Sequence, residues 1–205
     1  MKSKSYSDFY KTSFGQEILK IEVEFINKEI KGCKKILSIG CGPALHEVQL
    51  ANLNFETEII GLDISKDMLA QAPKLPYNVD LILGNAEDLC FKDDSFDFIY
   101  FLTSLEFTRN IDKSLLETKR ILKPNGRAIF MVANINSWYI QKELKEIDSY
   151  IKQNLENMDS EKLKPIISKY FKITSTKLML GINKEVIFES QDPKWASLFA
   201  IKSIK

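Results

Sequence analysis

Gly40 and Gly42 stand directly after an apolar run, Ile36-Leu37-Ser38-Ile39, and Asp63 ends a second such run, Glu58-Ile59-Ile60-Gly61-Leu62. The carboxylate therefore arrives about 20 residues after the glycines, the spacing that brings an acidic side chain to a ribose at the edge of an open α/β sheet. Glycines let backbone approach a bound nucleoside without a clashing Cβ, and the carboxylate accepts hydrogen bonds from sugar hydroxyls. Together these demands point to an adenosine-containing cofactor. A dinucleotide fingerprint would carry a third glycine at position 45, which is Leu45, so close packing around a pyrophosphate is disfavoured, and with it a nicotinamide-dependent oxidoreductase. A phosphate-cradling loop ending in Gly-Lys-Ser/Thr is absent. A nucleoside without a diphosphate fits best.

These residues need a scaffold, and the apolar patterning supplies one. Residues 16–31 show a broad apolar helical face and predict a helix ending near Gly32. Strands are expected at 35–39, 57–62, 79–83, 96–101 and 127–132. Helices are expected after Pro43, from Ser65 through Leu69 to a stop at Pro73 and Pro76, and over 112–122 before the turn Pro124-Asn125-Gly126. Ser65 is the better N-cap for the second of these, which frees Asp63 for a ligand; the bland alternative makes Asp63 itself the cap. Near-continuous apolar strands alternating with helices predict a parallel sheet covered on both faces, with right-handed crossovers. Beyond it, 138–157 reads as an amphipathic helix with Leu144, Ile147, Ile151 and Leu155 on one stripe. Strands follow at 171–180, 186–189 and 197–204, joined by turns that suggest an antiparallel edge.

The run ILSIGCGPA resembles the first motif of the class I S-adenosylmethionine-dependent methyltransferases, in the type-11-like branch that acts on small molecules. GLDIS at 61–65 resembles their ribose motif, GNAEDLCFKDDSFDFIY at 84–100 their adenine motif and fourth strand, and TKRILKPNGRAIF at 118–130 their fifth-strand region. The likeness runs in order from about position 35 to about 134. It implies a Rossmann-like, doubly wound, seven-stranded and mostly parallel sheet with an antiparallel last strand. It implies one domain over 1–205, divided into an N-terminal lid and helix (1–34), a cofactor-binding core (35–134), and a helical insertion with edge strands (135–205).

By the same resemblance, Gly40, Cys41 and Gly42 meet the methionine and ribose parts of the cofactor. Asp63 binds the ribose, Ile64 and Met68 pack on the adenine, Asn85-Ala86-Glu87 border its edge, and Leu102 and Thr103 lie beside the sulfonium. Asn85 stands where relatives often carry an acid; its amide oxygen still accepts a hydrogen bond, without a charge. Ser38 stands where relatives carry Asp or Glu, a carboxylate that organises the glycine loop and meets the cofactor's amino group. Its loss is worth about 1.5–3 kcal/mol if nothing compensates, and Glu47 or His46 in the next helix are the candidates to do so.

Further matches link the chain to an uncharacterised branch of small methyltransferases: Asp8-Phe9-Tyr10, Thr12, Phe14-Gly15, Glu22, Leu105-Glu106-Phe107 and Asn134-Ile135-Asn136-Ser137-Trp138. They suggest a lid built from Tyr6, Phe9, Tyr10, Trp138 and Tyr139, the bland alternative being aromatics that staple the N-terminus to the sheet. The implied reaction is in-line attack by an acceptor atom on the methyl carbon of S-adenosylmethionine, leaving S-adenosylhomocysteine. Glu106 is the candidate base where the acceptor must lose a proton. The alternative is a pseudoenzyme that binds the cofactor as a regulator or partner subunit, a reading Ser38 and Asn85 favour.

Composition narrows the partners. A net charge of +1 gives no field toward nucleic acid or an anionic membrane, and basic patches interleaved with aromatics are missing. The start MKSKSYSDFY lacks the apolar core of a signal peptide, so cytoplasm is the expected location and a small molecule the expected acceptor. Cys33, Cys41 and Cys90 are scattered and accompanied by a single histidine, which argues against a zinc site or disulfide framework. All three are expected as small, partly buried residues.

Overall fold

The computed structural model describes residues 3–145 and 160–205. Strand β1 (Lys35–Ile39) pairs in parallel with β2 (Glu58–Asp63) on one side and β4 (Phe96–Leu102) on the other. β2 carries β3 (Val79–Leu83) at the edge, and β4 pairs in parallel with β5 (Leu122–Ala133). The chain thus builds outward from β1 to β3, then returns to the other side of β1. The order reversal leaves a crevice at the carboxyl ends of β1 and β4, the place where ligands of open α/β sheets bind. β8 (Ala196–Ile204) runs antiparallel between β5 and β6 (Lys172–Asn183), and β7 (Val186–Phe188) closes the far edge as a hairpin with β6.

The sheet has eight strands in the order β3-β2-β1-β4-β5-β8-β6-β7, one more than the seven the family resemblance implies. β7 falls within the strand expected at 186–189, and its turn uses Lys184 at φ 57°. β5 also begins earlier than expected, at Leu122, directly after helix α5 (Ile111–Ile121). Its pairing with β4 jumps from Phe96–Leu122 to Phe98–Arg127, so the expected Pro-Asn-Gly turn survives as an outward loop with Asn125 at φ 61°.

Alternation along β4 feeds a core on each face. Phe98 and Tyr100 join α2 (Ser13–Glu29) and α3 (Leu45–Leu53), while Ile99 and Phe101 join Leu115 of α5 and Leu163 and Ile167 of a later helix. The N-terminal α1 (Ser3–Phe9) precedes α2, and the short α4 (Lys66–Leu69) follows β2. After β5 comes α6 (Trp138–Glu143), with Leu144 buried just beyond it. The expected continuation of this helix through Ile147, Ile151 and Leu155 lies outside the described residues. Helix α7 (Ser160–Ser168) was not expected: Pro165 and the charged run before it mask a core-facing pair, Leu163 and Ile167. Of the cysteines, Cys33 and Cys41 are buried, whereas Cys90 is exposed.

Candidate active site

The loop after β1 folds across the end of β2. The Gly40 and Cys41 N–H groups both donate to the Leu62 carbonyl, at 2.7 and 3.1 Å. Gly40 lies at φ 78° and a Cβ there would stand 2.3 Å from the Ser104 Cβ, so only glycine lets this turn meet the β4 loop. The Ser104 hydroxyl donates to the Ile39 carbonyl at 2.6 Å, tying the two strand ends together. Cys41 fits because Gly61 on β2 leaves room: a Cβ on Gly61 would lie 2.8 Å from the Cys41 Sγ. Burial pushes the Cys41 thiol well above its ordinary pKa, which leaves it a packing group rather than a nucleophile.

Asp63 closes the loop from the neighbouring strand. One carboxylate oxygen accepts from the Gly42 N–H and the other from the Ser65 N–H, each at 2.8 Å. Ser65 takes the cap of α4, accepting from the Met68 N–H at 3.3 Å. Each Asp63 oxygen keeps a lone pair. Beside it Ile64 is 71 % exposed and Met68 half-buried, a small apolar shelf at the carboxyl end of β2.

The turn after β3 differs in detail from the expectation. Asn85 is exposed, and its side-chain oxygen accepts from the Glu87 N–H at 3.0 Å. Ala86 is buried in the core. Glu87 is committed elsewhere: one oxygen accepts from the Arg109 and Asn110 N–H groups, at 2.8 and 3.0 Å, so it anchors the loop before α5. Leu102 and Thr103 are half-buried at the end of β4, with Thr103 at φ 46° and its N–H donating to the Met131 carbonyl. Just beyond, Glu106 is 2 % exposed. One oxygen accepts from the Ala133 N–H at 3.3 Å and the other has no hydrogen-bond partner. Burial pushes this carboxyl up to about 7, against the pull of its backbone hydrogen bonds.

Residues 37–130, the stretch holding every element so far described around the crevice, match the methyltransferase domain family. An uncharacterized protein of Methanocaldococcus jannaschii is 37 % identical over 173 residues, covering 79 % of this chain and 64 % of its own length. A demethylmenaquinone methyltransferase of Staphylococcus carnosus is 33 % identical over 105 residues, 49 % of this chain and 44 % of that protein. The chain thus spans less than two thirds of these relatives. Among solved structures, a Thermotoga maritima protein described as an SAM-dependent methyltransferase superposes with a TM-score of 0.79 at 20 % identity, covering 100 % of this chain and 96 % of the other.

Helix α1 lies over the glycine loop. The Tyr6 ring comes within 3.8 Å of where a Gly42 Cβ would be, and the Ser7 hydroxyl donates to the Gln71 side chain at 2.8 Å, beyond α4. Tyr6 packs edge-on against Tyr10, and Tyr10 against Phe9 and His46. Beneath them is a buried polar set that spacing alone did not assemble: Glu22 of α2 accepts from Tyr10 at 3.3 Å and pairs with His46 at 2.8 Å. Burial disfavours the His46 cation, but the Glu22 bond and the charges of Glu22 and Glu47 outweigh it and hold His46 above its ordinary pKa. Of the expected lid aromatics, Tyr6, Phe9 and Tyr10 come together here. Tyr139 reaches Phe14 at the start of α2, whereas Trp138 opens α6, behind its cap Ser137, with Lys142 over its ring. The signal for Glu22 was a lone carboxylate on the apolar face formed by Ile18, Leu19 and Ile26.

Ser38 is buried and sits in register with Tyr100 of β4. The Tyr100 hydroxyl donates to Glu47 of α3 at 2.6 Å. His46, committed to Glu22, does not replace the carboxylate missing at 38.

Proposed function

We propose that this protein transfers a methyl group from S-adenosylmethionine to a small-molecule acceptor, with Glu106 receiving the acceptor's proton. The reading is carried by two buried carboxylates, Asp63 at the end of β2 and Glu106 just beyond β4. Asp63 is fixed by backbone N–H groups beside the glycine loop, and Glu106 is buried with one oxygen unpartnered. Bound S-adenosylmethionine supplies an activated methyl group on a sulfonium centre. The residues fit that group. Asp63 has lone pairs for two sugar hydroxyls, Gly42 offers close backbone approach, and the exposed Ile64 with Met68 offers an apolar face to a flat base. Asn85, with Ala86, borders the same shelf, and Leu102 and Thr103 stand at the end of β4 toward Glu106.

The protein's own work is positioning, exclusion of water and proton transfer. Tyr6 and Tyr10 cover the loop. A carboxyl whose pKa is about 7 is substantially ionised at neutral pH yet basic enough to take a proton, the balance general-base catalysis favours. A net charge of +1 fits a small acceptor better than a nucleic acid.

The test is titration with S-adenosylhomocysteine, followed by methyl transfer assays over a metabolite panel. Binding with turnover supports the reading, and Glu106→Gln is expected to lower kcat at least 100-fold with KM little changed. Absence of binding rejects the reading. Binding without any turnover would favour the alternative, a cofactor-binding regulator or partner subunit.

A further inference from the structure

Glu47 lies in the first turn of α3, 1 % exposed. One oxygen accepts from Tyr100, and the other has no hydrogen-bond partner. Its carboxylate lies near enough to Tyr6 of α1 and Cys41 of the glycine loop for its charge to act on both. Burying a carboxylate is costly unless a cation or hydrogen bonds answer it. His46 is the cation nearby, yet its Nε2 is held by Glu22 at 2.8 Å. Two buried carboxylates therefore share one imidazole, and among the described residues no ion pair includes Glu47. Glu47 thus keeps one oxygen without a hydrogen bond, and Ser38, where the family resemblance implies an acid, lies in register with its partner Tyr100.

We infer that Glu47, steadied by Tyr100, is a relocated carboxylate that receives the ammonium group of the cofactor's amino-acid moiety. The inference rests on the S-adenosylmethionine reading above. Ser38 contributes by hydrogen-bonding Tyr100, the residue that holds Glu47. Glu47 is a binding residue in this scheme, and takes no part in proton transfer.

The experiment compares two adenosine thioethers by calorimetry on the full chain. S-adenosylhomocysteine carries the ammonium; 5′-methylthioadenosine lacks the whole amino-acid moiety. Glu47→Gln keeps the shape and the acceptor for Tyr100 but removes the charge. Its affinity for S-adenosylhomocysteine is expected to fall at least tenfold, while that for 5′-methylthioadenosine is unchanged. Equal S-adenosylhomocysteine affinity in variant and wild type overturns the inference. So does an equal loss for both ligands, which would make Glu47 a support for the loop as a whole. If the variant does not fold, wild type is titrated with S-adenosylhomocysteine and its desamino counterpart: a preference of at least tenfold for the amine supports the inference and equal binding overturns it. Wild type that binds none of these thioethers rejects the cofactor reading itself, a result distinct from the others.

Discussion

Asp63 accepts from the Gly42 and Ser65 N–H groups at 2.8 Å each, so its side chain shapes the loop. Removing it leaves two donors without their acceptor, each worth about 1–3 kcal/mol where buried. Asp63→Ala is therefore expected to lower stability by roughly 2 kcal/mol and to weaken S-adenosylhomocysteine binding at least tenfold, read by denaturant unfolding and calorimetry on one preparation. An unchanged dissociation constant would take the ribose contact away from this residue. Glu87 illustrates the opposite case. An acid at the expected place turned out to hold the Arg109 and Asn110 amides, a role set by a loop 22 residues away that no local pattern reveals.

At the scale of elements, the crevice exists because two loops pass within contact distance, and Gly40 and Ser104 set that distance. Gly40→Ala adds a Cβ 2.3 Å from Ser104 and forces an L side chain to φ 78°. Overpacking and backbone strain each cost about 1–3 kcal/mol, which is on the order of 5–10 °C in melting temperature for a chain of this size. Thermal unfolding is expected to show that drop, together with loss of S-adenosylhomocysteine binding; a neutral substitution would mean that the loops move apart freely. The βα alternation that frames this crevice was legible because apolar strands β1, β4 and β5 bury both faces and read as unbroken runs. The split of duties between Asp63 and Ser65 was legible too, since capping chemistry is local. The hairpin strand β7 was also legible, within the stretch expected at 186–189. Helix α7 was not, because it carries Pro165 among lysines. The buried pairs Glu22–His46 and Tyr100–Glu47 join residues 24 and 53 apart. The sequence sets Glu22 on an apolar helical face and Glu47 near the glycine loop, but only the packing of α2 and α3 onto β4 shows their partners.

Across the whole molecule, four titrating groups pull stability in two directions. Glu106 is raised from 4.5 to about 7 by burial, so the folded state holds its proton more tightly than the unfolded chain. Its contribution is complete below about 4.5 and is lost as pH rises through 7, a change on the order of 3 kcal/mol. His46 is held above its ordinary 6.5, so its contribution is complete below that value and is likewise lost on the alkaline side. Asp97 and Glu117 act in reverse. Partial burial opposes the Asp97 charge, but Lys123 and the Lys35 and Lys34 amides outweigh it and keep its pKa below 3.8. Arg120 keeps that of Glu117 below 4.5. Their contributions are present above those ordinary values and are lost as pH falls through the lowered ones. The two sets leave stability greatest near pH 4.5. Urea midpoints measured from pH 3 to 9 are expected to peak there and decline through pH 7. Glu106→Gln should flatten the decline between pH 4.5 and 7 while leaving the acid limb in place, because Asp97 and Glu117 sit at the other end of β4 and on α5. A wild-type midpoint that climbs steadily to pH 8 would mean that Glu106 is ionised and satisfied in the folded protein, and would remove it as a base with a pKa near neutrality.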